Sequence, residues 1–269
     1  MKAHLVTSAL SAAAVTLVLT RALHSAPSLE LRNHRGNAVS LSEGAAVATS
    51  LTTCALARQD LAAGAALALT SAVGMADDLD HGRHDGEAPA KGLKGHWQAL
   101  RRGRISTGAL KVAGIGTAAL AYNLARRKRR GRNWADLVID TALVAGSANL
   151  ANLFDLRPGR ALKTTALPIA VTAALAPHAR AAAAATTATV LAAAPTDLQG
   201  TTMLGDAGAN PLGLQCGMML SAIESRPVRL AAAGLTVGMI LASERVSFTQ
   251  VIAANPVLNA LDMAGRPRG

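Results

Sequence analysis

Apolar residues fall into nine blocks, at about 3–23, 44–57, 60–76, 105–125, 134–152, 164–177, 180–196, 209–223 and 228–242. Charged residues, Gly and Pro separate them. A chain divided in this way has to lay its apolar segments side by side, in a protein core or in lipid. The longer blocks approach the ~20 residues that carry a helix across a bilayer, and shorter ones are tolerated inside a bundle. Composition decides between the two solvents. Of 269 residues, 51% are hydrophobic but only 2% aromatic, so the large rings that fill soluble cores are missing. Ala, Leu and Val take their place, and small residues suit close helix contact in lipid. The expected fold is all-α: a polytopic transmembrane helix bundle of about nine spans, eight to ten, forming one integral membrane domain over residues 1–269.

The first block, with Lys2 ahead of Leu5 to Leu19, resembles a signal peptide. Ser25-Ala26-Pro27 is a poor cleavage site, so a retained helix is expected. Arg58-Gln59-Asp60 divides 44–76 into a hairpin. With a cytoplasmic C-terminus, the loops 24–43, 77–104, 153–163 and 197–208 and the tail 243–269 face the cytoplasm, in the cell membrane. The basic run Arg126 to Arg132 then lies outside, against the positive-inside tendency. A formal charge of +11 fits basic loops at anionic headgroups. Nucleic acid is not expected as a partner, because stacking aromatics are almost absent and no nucleic-acid motif appears. Cys54 and Cys216 sit in apolar blocks and read as packing residues.

Three acidic stations stand where apolar blocks end: Asp77-Asp78, Asn149-x-x-Asn152-Leu153-Phe154-Asp155, and Leu204-Gly205-Asp206-Ala207-Gly208. Carboxylates at a membrane edge are costly unless they hold a cation or a reacting group. Adjacent carboxylates such as Asp77 and Asp78 stay ionised together only near a cation or strong donors. Asn149, Asn152 and Asp155 recur every third residue and make one polar stripe on a helix. Each station also has a plain reading, as a solvated helix end, as interhelical glue, or as a Gly-Asp turn. Asp80 and Asp85 read as loop charges. Arg157 and Arg160 offer guanidinium forks for phosphate, and Lys91 and Lys94 add cations in the largest loop. Basic residues at such places also meet lipid headgroups. His96 suits acid–base work near neutral pH, or is an exposed structural histidine.

The order of these stations resembles the polyprenyl-phosphate N-acetylhexosamine-1-phosphate transferase superfamily, which has an Asp-Asp helix end, then Asn-x-x-Asn-Leu-x-Asp, then Met-Gly-Asp-x-Gly. Asn33-His34-Arg35-Gly36 before Ser42-Glu43-Gly44 stands where that family has a basic loop. The likeness spans roughly residues 30–220. It implies about ten spans and a cytoplasmic site dependent on Mg²⁺, with Mn²⁺ as the alternative ion. A nucleotide-diphosphate sugar, UDP-linked, would give its sugar phosphate to a polyprenyl phosphate in cell-envelope glycopolymer synthesis. By the same likeness Asp206 and Asp155 would be metal ligands, and Asp77 and Asp78 would orient or deprotonate the lipid phosphate. Asn149, Asn152, Asp155, Arg157, Arg160, Lys91 and Lys94 would bind substrate. Three departures stand out: the family's second aspartate after Asp155 is lost, Met203 replaces a uracil-stacking Phe, and residues 243–269 contain no His. Two other readings remain open: a membrane scaffold that keeps the fold without catalysis, and a lipid-phosphate transporter. A homodimer is compatible with each.

Overall fold

The computed structural model describes residues 2–32, 38–80 and 107–267. The chain is built of helices, as the block pattern predicts. Lys2–Leu23 (α1) leads into a small antiparallel hairpin of Glu30–Arg32 (β1) and Ala38–Ser40 (β2), with Leu31 opposite Val39. Then come Ser42–Ala57 (α2), Leu61–Asp80 (α3), Thr107–Arg127 (α4) and Trp134–Phe154 (α5). Short Arg160–Thr164 (α6) and Ala166–Leu175 (α7) precede Arg180–Leu198 (α8) and Gly205–Ser221 (α9). Arg226–Ser243 (α10), Phe248–Ala254 (α11) and Pro256–Met263 (α12) close the chain.

The α2–α3 break falls at Arg58-Gln59-Asp60, as expected. Gln59 adopts a positive φ of 58°, and the Asp60 carboxylate accepts the Ala63 amide at 3.0 Å, capping α3. At the centre stands α9, buried over nearly its whole length and packed against α2, α3, α5 and α7. A helix buried on all sides needs small or apolar residues all round, and Gly-Asp-Ala-Gly-Ala-Asn-Pro-Leu-Gly-Leu meets that need. Leu212, Leu214 and Met218 of α9 share one core with Val47, Leu51, Leu67, Val144 and Ala148. Leu51 and Leu67 bring α2 and α3 into the same core.

Contacts fix two ends of the bundle. Asp78 meets Asp206 at one end, where α3 finishes and α9 begins. Arg126 pairs with Asp60, and Arg130 donates to the Ser221 carbonyl, at the other. The long helices therefore run alternately up and down. By length and hydropathy, two of them can cross a membrane, Leu5–Leu23 and Trp134–Phe154. A third arises if Arg226–Ser243 and Phe248–Ala254, bent by 97°, count as one span. This corrects the expectation of nine spans. Helix α2 has 16 residues, α9 has 17 and α7 only 10, and the Ala, Gly and Thr that permit tight packing lower the hydropathy of the rest.

The far end is locked by charge. Arg229, fully buried, donates to Asp136 at 2.6 Å and Asp140 at 2.8 Å, and to the carbonyls of Ile223 and Glu224. Asp136 and Asp140 lie one turn apart on α5, so one guanidinium ties α10 to α5. Removing one partner of such a network leaves an uncompensated buried charge. Arg229→Met is expected to lower stability by about 3–5 kcal/mol, read as a shift of the denaturant midpoint of detergent-purified protein. An unchanged midpoint would refute the lock.

Candidate functional site

The three acidic stations meet at the end of the bundle where α3 and α5 finish and α9 starts. Leu204 precedes a helix whose first amides have no intrahelical acceptor. Two carboxylates supply it from elsewhere in the chain. Asp78 accepts the Asp206 amide at 2.9 Å through one oxygen and the Ala207 amide at 2.8 Å through the other. Asp155, just beyond the end of α5, accepts the Gly205 amide. The positive end of the α9 dipole adds to both interactions. Two glycines make the approach feasible. Gly205 has φ +57°, and a Cβ there would lie 2.8 Å from a carboxylate oxygen of Asp78. At Gly74 a Cβ would lie 2.3 Å from the Asp206 carbonyl oxygen, so only glycine lets α3 come this close.

The remaining carboxylates share a cation from the chain itself. Lys111, one turn into α4, donates to Asp77 at 2.7 Å and also to the Asp206 carboxylate. All three side chains are largely buried. Burial, with the neighbouring Asp77 carboxyl, pushes Asp206 up to about 7 even though Lys111 opposes the rise. Burial also raises Asp78, partly offset by the two amides it accepts. Asp155 is raised well above the usual carboxylate range by burial and by Asp197. The stations hold more negative charge than the site solvates, a recurrent property of functional sites.

Beside them opens a cavity of about 630 Å³, lined by Asp155, Arg157, Asp197, Thr202, Met203 and Asn259 among others. Thr201 and Met203 are held by backbone bonds to Ser40, so the hairpin fixes one wall. Thr202 donates its hydroxyl to Glu43, whose other carboxylate oxygen is buried without a partner among the described residues. Burial and Asp197 raise Glu43 well above its ordinary value. Asp197 itself, raised to about 6 chiefly by burial, accepts the Gly159 amide at 3.1 Å. The outer wall is the C-terminal segment. Arg160 forks onto Asp262 with two bonds of 2.8 and 2.9 Å and donates to Thr249. Arg266 donates to the Pro158 carbonyl and to Asp262, and Phe248 stacks on Phe154 with ring centres 5.2 Å apart.

The structure thus brings Asp77, Asp78, Asp155 and Asp206 together. Asn149 and Asn152 lie on the last turns of α5, half-buried, and the Asn152 carbonyl accepts the Asp155 amide. Arg157 lines the cavity. Arg160, expected to grip phosphate, has its guanidinium engaged by the C-terminal segment. Asp80, expected as a loop charge, is instead buried at the end of α3. Lys91, Lys94, His96, Asp85 and Asn33 to Gly36 lie outside the described residues. Lys111, Glu43 and Asp197 were not singled out from the sequence. Each carried the signal used for the stations, an ionisable residue within or at the edge of an apolar block.

The expected magnesium ion meets a donor set arranged for other partners. Among the described residues, no group of three or more His, Cys, Asp or Glu is disposed to hold a metal ion. Both oxygens of Asp78 accept amides, Asp155 caps Gly205, and an ammonium lies between Asp77 and Asp206. This arrangement does not fit a resident divalent ion, and no chemical step is assigned to one. Compared with known protein families and with curated proteins, the chain matches none.

Two outcomes follow. Gly205→Ala forces a side chain into the left-handed region and onto Asp78, at a cost of about 1–3 kcal/mol for the strain alone. The same loss is expected for Asp78→Ala, which leaves two amides uncapped. Denaturant unfolding measures both, and wild-type stability in either would refute the carboxylate caps. The Asp262 carboxyl is pushed up by burial, but Arg160, Arg266 and Lys163 outweigh this and hold it below the usual range. A depressed carboxyl contributes fully above its unfolded value of about 4 and loses that contribution as pH falls through the folded value. Protease sensitivity of residues 244–267 should therefore rise below about pH 4 and, in Asp262→Asn, already at pH 7. Equal protection of that variant at pH 7 would refute the clasp.

Proposed function

We propose that the chain is a divergent polytopic membrane glycosyl-1-phosphate transferase, acting on a polyprenyl phosphate at the cytoplasmic face of the cell membrane. The observation that carries the reading is the convergence of Asp77-Asp78, Asp155 and Asp206 on the start of α9. These residues are far apart in sequence and stand in the order that the transferase superfamily displays. The alternating helices and the two apolar helices long enough to cross a membrane support a helical membrane bundle, in which small residues allow close packing.

In this reading the cavity receives the nucleotide-diphosphate sugar, with Arg157 on its wall to meet the diphosphate. An oxygen of the polyprenyl phosphate attacks the sugar-bearing phosphorus. A new P–O bond forms, the bond to the bridging oxygen breaks, and the nucleoside monophosphate leaves. Asp77 lies at the mouth of α3, where it can orient the acceptor phosphate or take its proton. Asn149 and Asn152 continue the polar stripe toward Asp155. Phosphoryl transfer asks mainly for positioning and charge neutralisation, and Arg157 on the cavity wall is the chain's candidate for the second.

One observation favours the scaffold reading. Arg160 and Arg266 both hold the C-terminal segment, and Lys111 holds two carboxylates, so cations suited to phosphate already have internal partners. Purified protein given a polyprenyl phosphate, divalent cations and a panel of nucleotide sugars separates the two. Release of nucleoside monophosphate, reduced at least about 100-fold in Asp206→Asn, is expected of the transferase. Binding of the lipid phosphate with no release across the panel would overturn it in favour of the scaffold.

A further inference from the structure

The Asp77–Lys111–Asp206 bridge departs from what a metal-dependent site of this kind requires. Two carboxylates from α3 and α9 face one another across a single ammonium, which donates to Asp77 at 2.7 Å and to Asp206. Lys111 reaches this place from α4, a third helix, and only 16% of its side chain is exposed. A hard divalent ion seeks oxygen ligands of this type. It would also have to occupy the space in which the ammonium lies, because both cations depend on the same carboxylates. Among the described residues, the neighbouring carboxylates form no second group disposed to hold a metal ion. Asp78 is drawn to the Asp206 and Ala207 amides, and Asp155 to the Gly205 amide.

We propose that Lys111 is the resident cation of this site, and that it and a divalent ion exclude one another between Asp77 and Asp206. The proposal rests on the geometry of the carboxylates and uses the transferase reading only to name them as the functional centre. A bound ammonium with two carboxylate partners is a competitor that never leaves the chain, so a divalent ion binds only to the extent that Lys111 gives way. Binding that draws on a minor conformer is weakened by the fraction of that conformer. Removing the ammonium takes away the competitor and leaves two facing carboxylates, which attract a cation strongly in a partly buried setting.

The test needs no substrate. Full-length protein in detergent is titrated with Mn²⁺ by calorimetry as wild type, Lys111→Met, Lys111→Arg, and Lys111→Met combined with Asp206→Asn. Lys111→Met is expected to bind at least about tenfold more tightly than wild type, a difference of 1.4 kcal/mol. Lys111→Arg should stay as weak as wild type, and the double variant should lose the gain. Mn²⁺ binding by a folded Lys111→Met that is equal to or weaker than that of the wild type would overturn the proposal. If Lys111→Met does not hold its helical fold, the wild type answers by thermal unfolding in Mg²⁺ against EDTA. A midpoint unchanged within about 1 °C supports the proposal, and a fall of several degrees in EDTA overturns it, because a bound ligand stabilises by mass action. The nucleotide-release assay tests the transferase reading separately, so either claim can fail alone.

Discussion

The first turn of α9 is the place on which the rest of this structure depends. Its Gly205, Asp206 and Ala207 amides lie inside the protein and need acceptors, and the acceptors come from Asp155 and Asp78. Each carboxylate belongs to a different helix end, so satisfying one helix start fixes the placement of three helices. The charge left over is then offset by Lys111 from a fourth. The central helix, its neighbours and the candidate site are consequences of the same set of bonds.

This arrangement explains why the site is crowded with carboxyls. A carboxylate that caps a buried helix gives up solvation to gain two amides. Asp78 does this within hydrogen-bond reach of Asp206, and Asp206 faces Asp77 across the Lys111 ammonium. Glu43 and Asp197 extend the acidic floor beneath the cavity, with Thr202 and the Gly159 amide as their donors. The opposite end of the bundle uses the reverse device. There one guanidinium, Arg229, satisfies two carboxylates and two carbonyls. The two ends are therefore stabilised alike, by a buried charge with several partners, and the end that carries the stations opens on a cavity.

Much of the helical plan could be read from the chain. Each apolar block holds one helix or a closely spaced helix pair, and Arg58-Gln59-Asp60 breaks α2 from α3 as its polarity suggests. The four aspartates of the three stations could be picked out because each breaks an apolar pattern at a block edge. Lys111 breaks the same pattern inside a block, and Asp197 does so at the end of one. No motif surrounds either residue, so the sequence pattern alone does not mark them. Arg160, beside Pro158-Gly159, reads locally as a fork for phosphate, whereas its partner Asp262 lies 102 residues away. Block length also overstated the number of spans, since Ala and Gly count as apolar yet contribute little transfer free energy.

The sequence by itself determined the all-helical architecture and which carboxylates are too costly to be idle. These are properties of residues a few positions apart, and the local period and hydropathy of the chain express them directly. Only the tertiary structure decided that Asp78 and Asp155 cap α9, that Lys111 lies between Asp77 and Asp206, and that Asp262 claims Arg160. Those choices depend on which charged groups meet after the chain has folded. A buried charge takes the partner that geometry brings within 3 Å or so, and that partner is set by packing between helices rather than by neighbours in sequence.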